Sequence, residues 1–315
     1  MRLISNPNNK NRTSAVLSVG TNSTRLLVAD LGVPLRMLAQ RSIGTRLGKA
    51  LRESGELGEE PMRKTLDALQ SHYRLARRYT DNVSVIATSA MRRADNAQLF
   101  IDRIINLTDC NVIILSGQEE ASCSFRGAVH SLNGVEEPVG VFDIGGGSTE
   151  YAVGTDAAIQ TTVSCEIGAV RLTEWFPALA GHEGFVDNDT IDQARNGARE
   201  LLSPLGEFKR VPLLIAVGGT ATTSAAVVRG HRNRLHRSKV TREALAAAFN
   251  CLCELTMEKR KYVPGMVPQR ADILPAGMIV FDTALEILGH NSCTVSRDDL
   301  LLGYLLSRKE AISAV

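Results

Sequence analysis

The chain has 315 residues, 44% of them hydrophobic and 22% charged, a mixture that suits ordinary cores and excludes a wholly disordered chain. At roughly 100 to 200 residues per domain, that length predicts two domains. The formal net charge of +2 is too small to argue for a nucleic-acid partner, and no apolar run approaches the roughly 18 residues of a membrane span.

The N-terminus, Ser5-Asn6-Pro7-Asn8-Asn9-Lys10-Asn11, is polar where a signal peptide is apolar. Residues 1–13 therefore read as a disordered tail and the protein as cytoplasmic. Next comes a β-rich run, Val16 to Val28, interrupted by Gly20-Thr21-Asn22-Ser23-Thr24, and a second run of the same kind, Val141 to Val153, is interrupted by Gly145-Gly146-Gly147-Ser148-Thr149. At an offset of 125 residues Ser18 falls on Asp143, Gly20 on Gly145, Ser23 on Ser148 and Arg25 on Glu150. Each run reads as a hairpin whose tip is rich in backbone donors and hydroxyls, and the repetition predicts two similar halves with their tips across one cleft.

Between the hairpins, Pro61 to Arg78 has helical spacing, with Met62, Leu66, Leu69, Tyr73 and Ala76 on one face. The apolar run Val85 to Ala90 is echoed by Leu214 to Thr220, both ending in small residues, and Arg92 and Arg93 just after the first are surface arginines or phosphate clamps. Asn111 to Leu115 reads as a strand that breaks at Ser116-Gly117 and enters a helix. The first turn of that helix carries Glu119 and Glu120, where acids complement the helix dipole. Asn133-Gly134 and Pro138 punctuate the chain, which predicts domains over 14–130 and 131–296. Helices are expected over Leu245–Met257, Gly277–Leu288 and Asp298–Arg308. Strands mixed with helices in both halves give the α/β class.

Gly145-Gly146-Gly147-Ser148-Thr149 can form an anion nest, because glycines let successive N–H groups converge on a phosphate and the hydroxyls add donors. Asp143, leaving the strand just before it, is a carboxylate beside that phosphate. Such a pairing makes chemical sense with Mg²⁺ between them, since Mg²⁺ is bound through one or two carboxylates plus phosphate oxygens. From Arg229 to Lys239 the chain carries Arg229, His231, Arg232, Arg234, His236, Arg237 and Lys239 with no acid. This is either a solvated loop or a landing strip for a long polyanion. The six cysteines are scattered without a C-x-x-C pair, as expected of reduced thiols.

Six motifs occur in order: Gly20-Thr21-Asn22-Ser23, Thr88-Ser89-Ala90-Met91-Arg92, Ser116-Gly117-Gln118-Glu119-Glu120-Ala121, Asp143 to Glu150, Gly168-Ala169-Val170-Arg171-Leu172 and Val217-Gly218-Gly219-Thr220. With Arg270 to Gly277 and Val295-Ser296, they resemble the exopolyphosphatase and guanosine pentaphosphate phosphohydrolase family over about residues 14 to 308. The resemblance implies two ribonuclease-H-like domains of the actin-like superfamily facing a central cleft, with the last helix, about 297–312, packed back on the first. It implies Glu120 as the catalytic glutamate that activates water, and Asp143 and Glu150 as acids that hold or face the metal. It also implies Thr21, Asn22, Ser23, Arg92, Gly145, Gly146, Gly147, Ser148, Gly218, Gly219 and Thr220 as the phosphate-binding set. The cofactor is then Mg²⁺ or another divalent cation, with a monovalent cation as a further candidate.

The implied reaction is release of the terminal phosphate from inorganic polyphosphate or guanosine pentaphosphate. A homodimer is a further expectation, with Arg232, Arg234 and Arg237 extending a polyanion groove. Two departures stand out: Ser18 replaces the family's usual aspartate, and Leu301 replaces an arginine common near the C-terminus. Ser18 keeps open a second reading, a polyphosphate- or guanosine pentaphosphate-binding regulator with little turnover. A third, an actin-like kinase, lacks any acceptor-site motif.

Overall fold

The computed structural model describes residues 12–130, 132, 136–182 and 184–313. The turn expected at Asn133-Gly134 and all of the expected tail before Arg12 lie outside them; Arg12 and Thr13 are described, and Thr13 already opens the first strand. The chain divides into two compact units, residues 1–116 with 301–315, and residues 117–300.

The first unit contains β1 (Thr13–Val19), β2 (Ser23–Asp30), β3 (Arg36–Gly44), α1 (Leu51–Ser54), α2 (Glu59–Ala76), β4 (Val83–Ala87), α3 (Ser89–Arg93), α4 (Ala97–Thr108) and β5 (Val112–Ile114). Its sheet runs β3-β2-β1-β4-β5, with β1 to β3 antiparallel and β1, β4 and β5 parallel. β1 and β2 are covered on both faces, Val16 and Leu17 of β1 and Leu26 and Leu27 of β2 being at most 2% exposed, and so take the inner positions of the sheet. α2 buries Met62, Leu69 and Ala76 at helical spacing against this core and exposes its charged face.

The second unit begins with α5 (Gly117–Val129), then β6 (Val139–Ile144), β7 (Thr149–Gly154), β8 (Ile159–Cys165), α6 (Ala169–Trp175), α7 (Asn188–Leu201), β9 (Leu213–Val217) and α8 (Gly218–Arg229). It continues through β10 (Ser238–Thr241), α9 (Arg242–Cys253), α10 (Met257–Arg260), α11 (Leu274–Ile287) and β11 (Ser292–Val295) into α12 (Leu300–Ser313). From Leu301 on, α12 groups with the first unit, where Lys309 Nζ donates to the Leu31 carbonyl at 2.7 Å. The six-stranded sheet runs β10-β11-β9-β6-β7-β8. Its β8-β7-β6-β9-β11 portion repeats the first sheet, so each unit has the ribonuclease-H-like strand order.

The hairpin repeat is realised residue for residue. Ser18 pairs with Arg25 and Asp143 with Glu150. The tip bond Gly20 N–H to Ser23 O is 3.1 Å and its counterpart Gly145 N–H to Ser148 O is 3.0 Å.

Two differences from the sequence reading have local causes. The units meet at Ser116/Gly117 rather than near residue 130, because α5 lies on β6, β7 and β8. Its Ala121, Phe125 and Ala128 bury with Val141 and Ala152. The helix expected over Leu245–Met257 is two helices. α9 starts earlier, capped by Thr241, whose hydroxyl accepts from Ala244 N–H at 3.2 Å, and after Cys253 the chain turns until Thr256 caps α10.

β6 is held from below by Phe142, fully buried and edge-to-face with Phe281 of α11 at 5.4 Å between ring centres. Phe142→Ala removes this contact and leaves a cavity, so a loss of about 3–5 kcal/mol is expected in urea unfolding. Phe281→Ala should cost a similar amount, and the double variant less than the sum of the two, because each ring is the other's partner. Strict additivity would show that the rings do not support one another.

Candidate active site

The candidate residues of the second unit gather where β6, β7 and β9 end or begin and where α5 and α8 start. α5 opens at Gly117, where a Cβ would collide with Ser164 of β8. That close approach sets the first turn of α5 against the sheet. Of the two acids in this turn Glu119 is exposed, whereas Glu120 is buried with 7% of its surface accessible. Ser124 follows Glu120 by four residues, on the same helix face, and its hydroxyl donates to Asp143 Oδ2 at 2.7 Å.

Asp143 stands one residue before the end of β6, opposite Glu150 at the start of β7. Glu150 is 3% exposed, and its Oε1 accepts a hydrogen bond from Ser164 Oγ at 3.0 Å. Burial, then the charges of Glu120 and Asp143, push its carboxyl well above the usual 4.5, while hydroxyl bonds from Ser148 and Ser164 pull the other way. Two neighbouring carboxylates thus act electrostatically on a third.

Between them lies the glycine turn. The Gly145 and Gly146 carbonyls face away from the turn and accept the Ala169, Val170 and Arg171 N–H groups that open α6. Gly168 lets that helix come this near, since a Cβ there would stand 2.6 Å from the Gly146 carbonyl carbon. The N–H groups of Gly146, Gly147 and Ser148 meet no acceptor among the described residues. They are donors available to an anion.

A second set of donors comes from α8, which follows β9 directly. No side chain caps its N-terminus, so its first N–H groups are open and carry the positive end of the helix dipole. Gly218 has φ +87°, and a Cβ there would collide with Asp143 Oδ1. Only glycine permits both the left-handed backbone and the carboxylate contact. Gly219 likewise leaves room for the Arg270 guanidinium, which would occupy the space of any side chain at 219. Thr220 is 1% exposed and its Oγ1 has no partner among the described residues.

In the first unit the corresponding turn has the same logic. The Asn22 carbonyl accepts Thr45 and Arg46 N–H at 3.0 Å each and the Thr21 carbonyl accepts Gly48 N–H at 2.9 Å, while Asn22 Nδ2 donates to Ser23 Oγ at 3.2 Å. Thr21, Asn22 and Ser23 are buried. Arg92 leaves α3 and donates to the Leu115 carbonyl at 2.7 Å. Arg232, Arg234 and Arg237 are not among the residues gathered at the glycine turn and lie exposed in the loop between α8 and β10. Sequence reasoning missed Ser124, whose spacing from Glu120 was the available signal, and gave Arg270 no role.

The oxygen-only donors at Asp143 and Glu150 suit a hard divalent cation, and a positive charge there would relieve the repulsion that raises Glu150. Among the described residues no group of three or more His, Cys, Asp or Glu side chains forms a metal cage. All six cysteines are free, and no helix among the described residues is long and apolar enough to cross a membrane.

Comparison with known proteins adds a second line of support. The family model described as the Ppx/GppA phosphatase family matches residues 27–309. Exopolyphosphatase 2 of Mycobacterium tuberculosis is 32% identical over 317 residues, covering 93% of this chain and 97% of that protein. A bifunctional 3-dehydroquinate synthase/phosphatase of Fusobacterium nucleatum is 29% identical over 311 residues, and the match covers 94% of this chain but 46% of that protein's length. Among solved structures, an exopolyphosphatase from Cytophaga hutchinsonii superposes with a TM-score of 0.85 at 27% identity, covering 95% of this chain and 98% of that one. The Aquifex aeolicus Ppx/GppA family member gives 0.75 at 28%, covering 95% and 98%.

A carboxyl raised in the fold above its unfolded value favours folding most below the unfolded value, and that contribution is lost as pH rises through the folded one. Glu150→Gln removes the loss. Without divalent cations, the Tm of the variant minus that of the wild type should be smallest near pH 4 and grow toward pH 8, by about 2–4 °C per kcal/mol. Mg²⁺ should narrow the gap. Parallel Tm curves for the two proteins would mean that Glu150 carries no such burden.

Proposed function

The chain belongs to the Ppx/GppA phosphatase family, and we propose on that premise that it hydrolyses the terminal phosphoanhydride of inorganic polyphosphate, with guanosine pentaphosphate as the second candidate substrate. The observation that carries the reading is the buried Glu120 acting electrostatically on Glu150, beside a turn whose N–H groups are open.

In this reading the terminal phosphate accepts hydrogen bonds from Gly146, Gly147 and Ser148 N–H and from the open end of α8. Glu120 takes a proton from the attacking water as the new P–O bond forms, and the bridging P–O bond breaks, leaving inorganic phosphate and a chain one unit shorter. The transition state of such a transfer is loose, so alignment and charge neutralisation matter more than a strong base. Held by Asp143 and Glu150, Mg²⁺ would supply neutralisation of the phosphate oxygens' charge. Ser124 fixes one Asp143 oxygen and Ser164 one Glu150 oxygen, so both carboxylates are oriented in advance.

Glu120→Gln keeps the shape of the side chain and removes the proton acceptor. Phosphate release from long-chain polyphosphate with Mg²⁺ is expected to fall at least about a hundredfold, with substrate binding within a few-fold of wild type. Release that survives in the variant would remove Glu120 from the chemistry. Binding without release by the wild type, with either substrate, would replace the hydrolase by the regulator that Ser18 suggests.

A further inference from the structure

We propose that the loop between α8 and β10 is a distal subsite for the body of a linear polyphosphate chain, with Arg232, Arg234 and Arg237 as its cationic groups. The inference rests on the reading of the glycine turn as the hydrolytic site and adds to it a place for the stretch of substrate that is not being cut.

Strand register fixes where the loop lies. Asp143 pairs with Glu150 on one side and Val217 on the other. In the adjoining row Phe142 pairs with Ala216, Ala216 with Val295 and Val295 with Ser238. β10 runs antiparallel to β11, so Arg237, just before Ser238, belongs one step further toward the edge at which Asp143 stands. Its N–H donates to the Val295 carbonyl at 2.8 Å. Arg237 is therefore level with Asp143 and three strands away, about 14–15 Å at the usual strand spacing. The basic loop reaches the same edge of the same sheet as the acids and the glycine turn.

The loop is also built rather than loose. Leu235 is buried, and its carbonyl accepts both the N–H and the hydroxyl of Ser238, at 3.0 and 2.7 Å. Two of its arginines lie in the left-handed region, Arg234 at φ 50° and Arg237 at φ 62°. That conformation is uncommon for such a side chain and collects at functional sites, ligand clamps among them. Both arginines are exposed.

Charge points the same way. His236 Nε2 comes within 3.9 Å of Asp298 Oδ2, and Arg237 acts on the same carboxyl. Arg232 and Arg234 meet no acid among the described residues, in contrast to the paired Arg199 and Arg242 elsewhere in this unit. A row of guanidiniums suits a repeating phosphate backbone, to which it can donate in pairs. Tripolyphosphate has only two phosphates beyond the one being released to offer the loop, whereas a long chain can run along all three arginines.

The test uses a triple variant, Arg232→Gln with Arg234→Asn and Arg237→Asn, the asparagines being chosen because they tolerate a left-handed backbone. Phosphate release is measured from tripolyphosphate and from long-chain polyphosphate across a salt series, together with direct binding of both by calorimetry. The expected result is a KM for the long chain raised tenfold or more and a shallower salt dependence, since fewer ions are exchanged, with KM for tripolyphosphate within twofold of wild type. Equal losses on both substrates, or no loss on either, would overturn the subsite. If the wild type releases no phosphate, the hydrolase reading fails on its own, and the calorimetric comparison of long and short chains still decides the loop. Arg234→Asn alone serves if the triple variant unfolds early, with a smaller loss of the same long-chain selectivity expected; equal effects on the two chains would overturn the proposal as before.

Discussion

Glu120 and Glu150 are buried beside a half-buried Asp143 in one unit, and the repulsion that the other two exert on Glu150 is the constraint that their neighbours answer. Burying an ionised carboxylate costs several kcal/mol unless hydrogen bonds or an opposite charge offset it. Ser124 and Ser164 hydroxyls donate to Asp143 and Glu150, and the uncapped start of α8 directs its positive end toward the same place. These groups offset some of the cost. What remains is shed when a carboxylate takes a proton or meets a cation, so the cluster is chemically incomplete without one or the other.

That arrangement requires elements to approach more closely than side chains allow. Gly117 brings α5 against Ser164, Gly168 brings α6 against the glycine turn, and Gly218 lets the Asp143 carboxylate touch the start of α8. The same glycines that look like loop composition in the sequence are contact points. A methyl group at any of them would force neighbouring elements away from each other, and their separation sets the distance between an acid and a row of N–H donors.

Much of this was legible before the structure. The two hairpins align in the sequence because a turn's chemistry is local, and the structure adds their register, Ser18 opposite Arg25 and Asp143 opposite Glu150. The strand before α5 and the acids in its first turn were legible for the same reason. The boundary at Ser116/Gly117 was not, because it depends on which sheet receives the apolar face of α5, and Ala121, Phe125 and Ala128 would suit either. Nor could residues alone separate Glu119 from Glu120. One residue turns a helix by about 100°, which leaves one acid in solvent and buries the other, and only packing says which. The break between α9 and α10 was hidden because Leu252 and Cys253 continue the apolar pattern up to the turn.

The two hairpins share a backbone and differ in charge. Their tip bonds agree to 0.1 Å, and in both the carbonyls turn away from the tip to receive later N–H groups. Anion binding by the backbone therefore needs no carboxylate, and the first hairpin has none at the paired position, carrying Ser18 opposite Arg25. The second carries Asp143 opposite Glu150 at the same register, against an electrostatic penalty the first avoids. A pair of acids beside an anion site is unfavourable for holding a phosphate alone, since like charges repel. It becomes favourable once a cation bridges the two, which is the combination proposed for the second hairpin, whereas the first, with Ser18 opposite Arg25, carries no like-charge pair at that register.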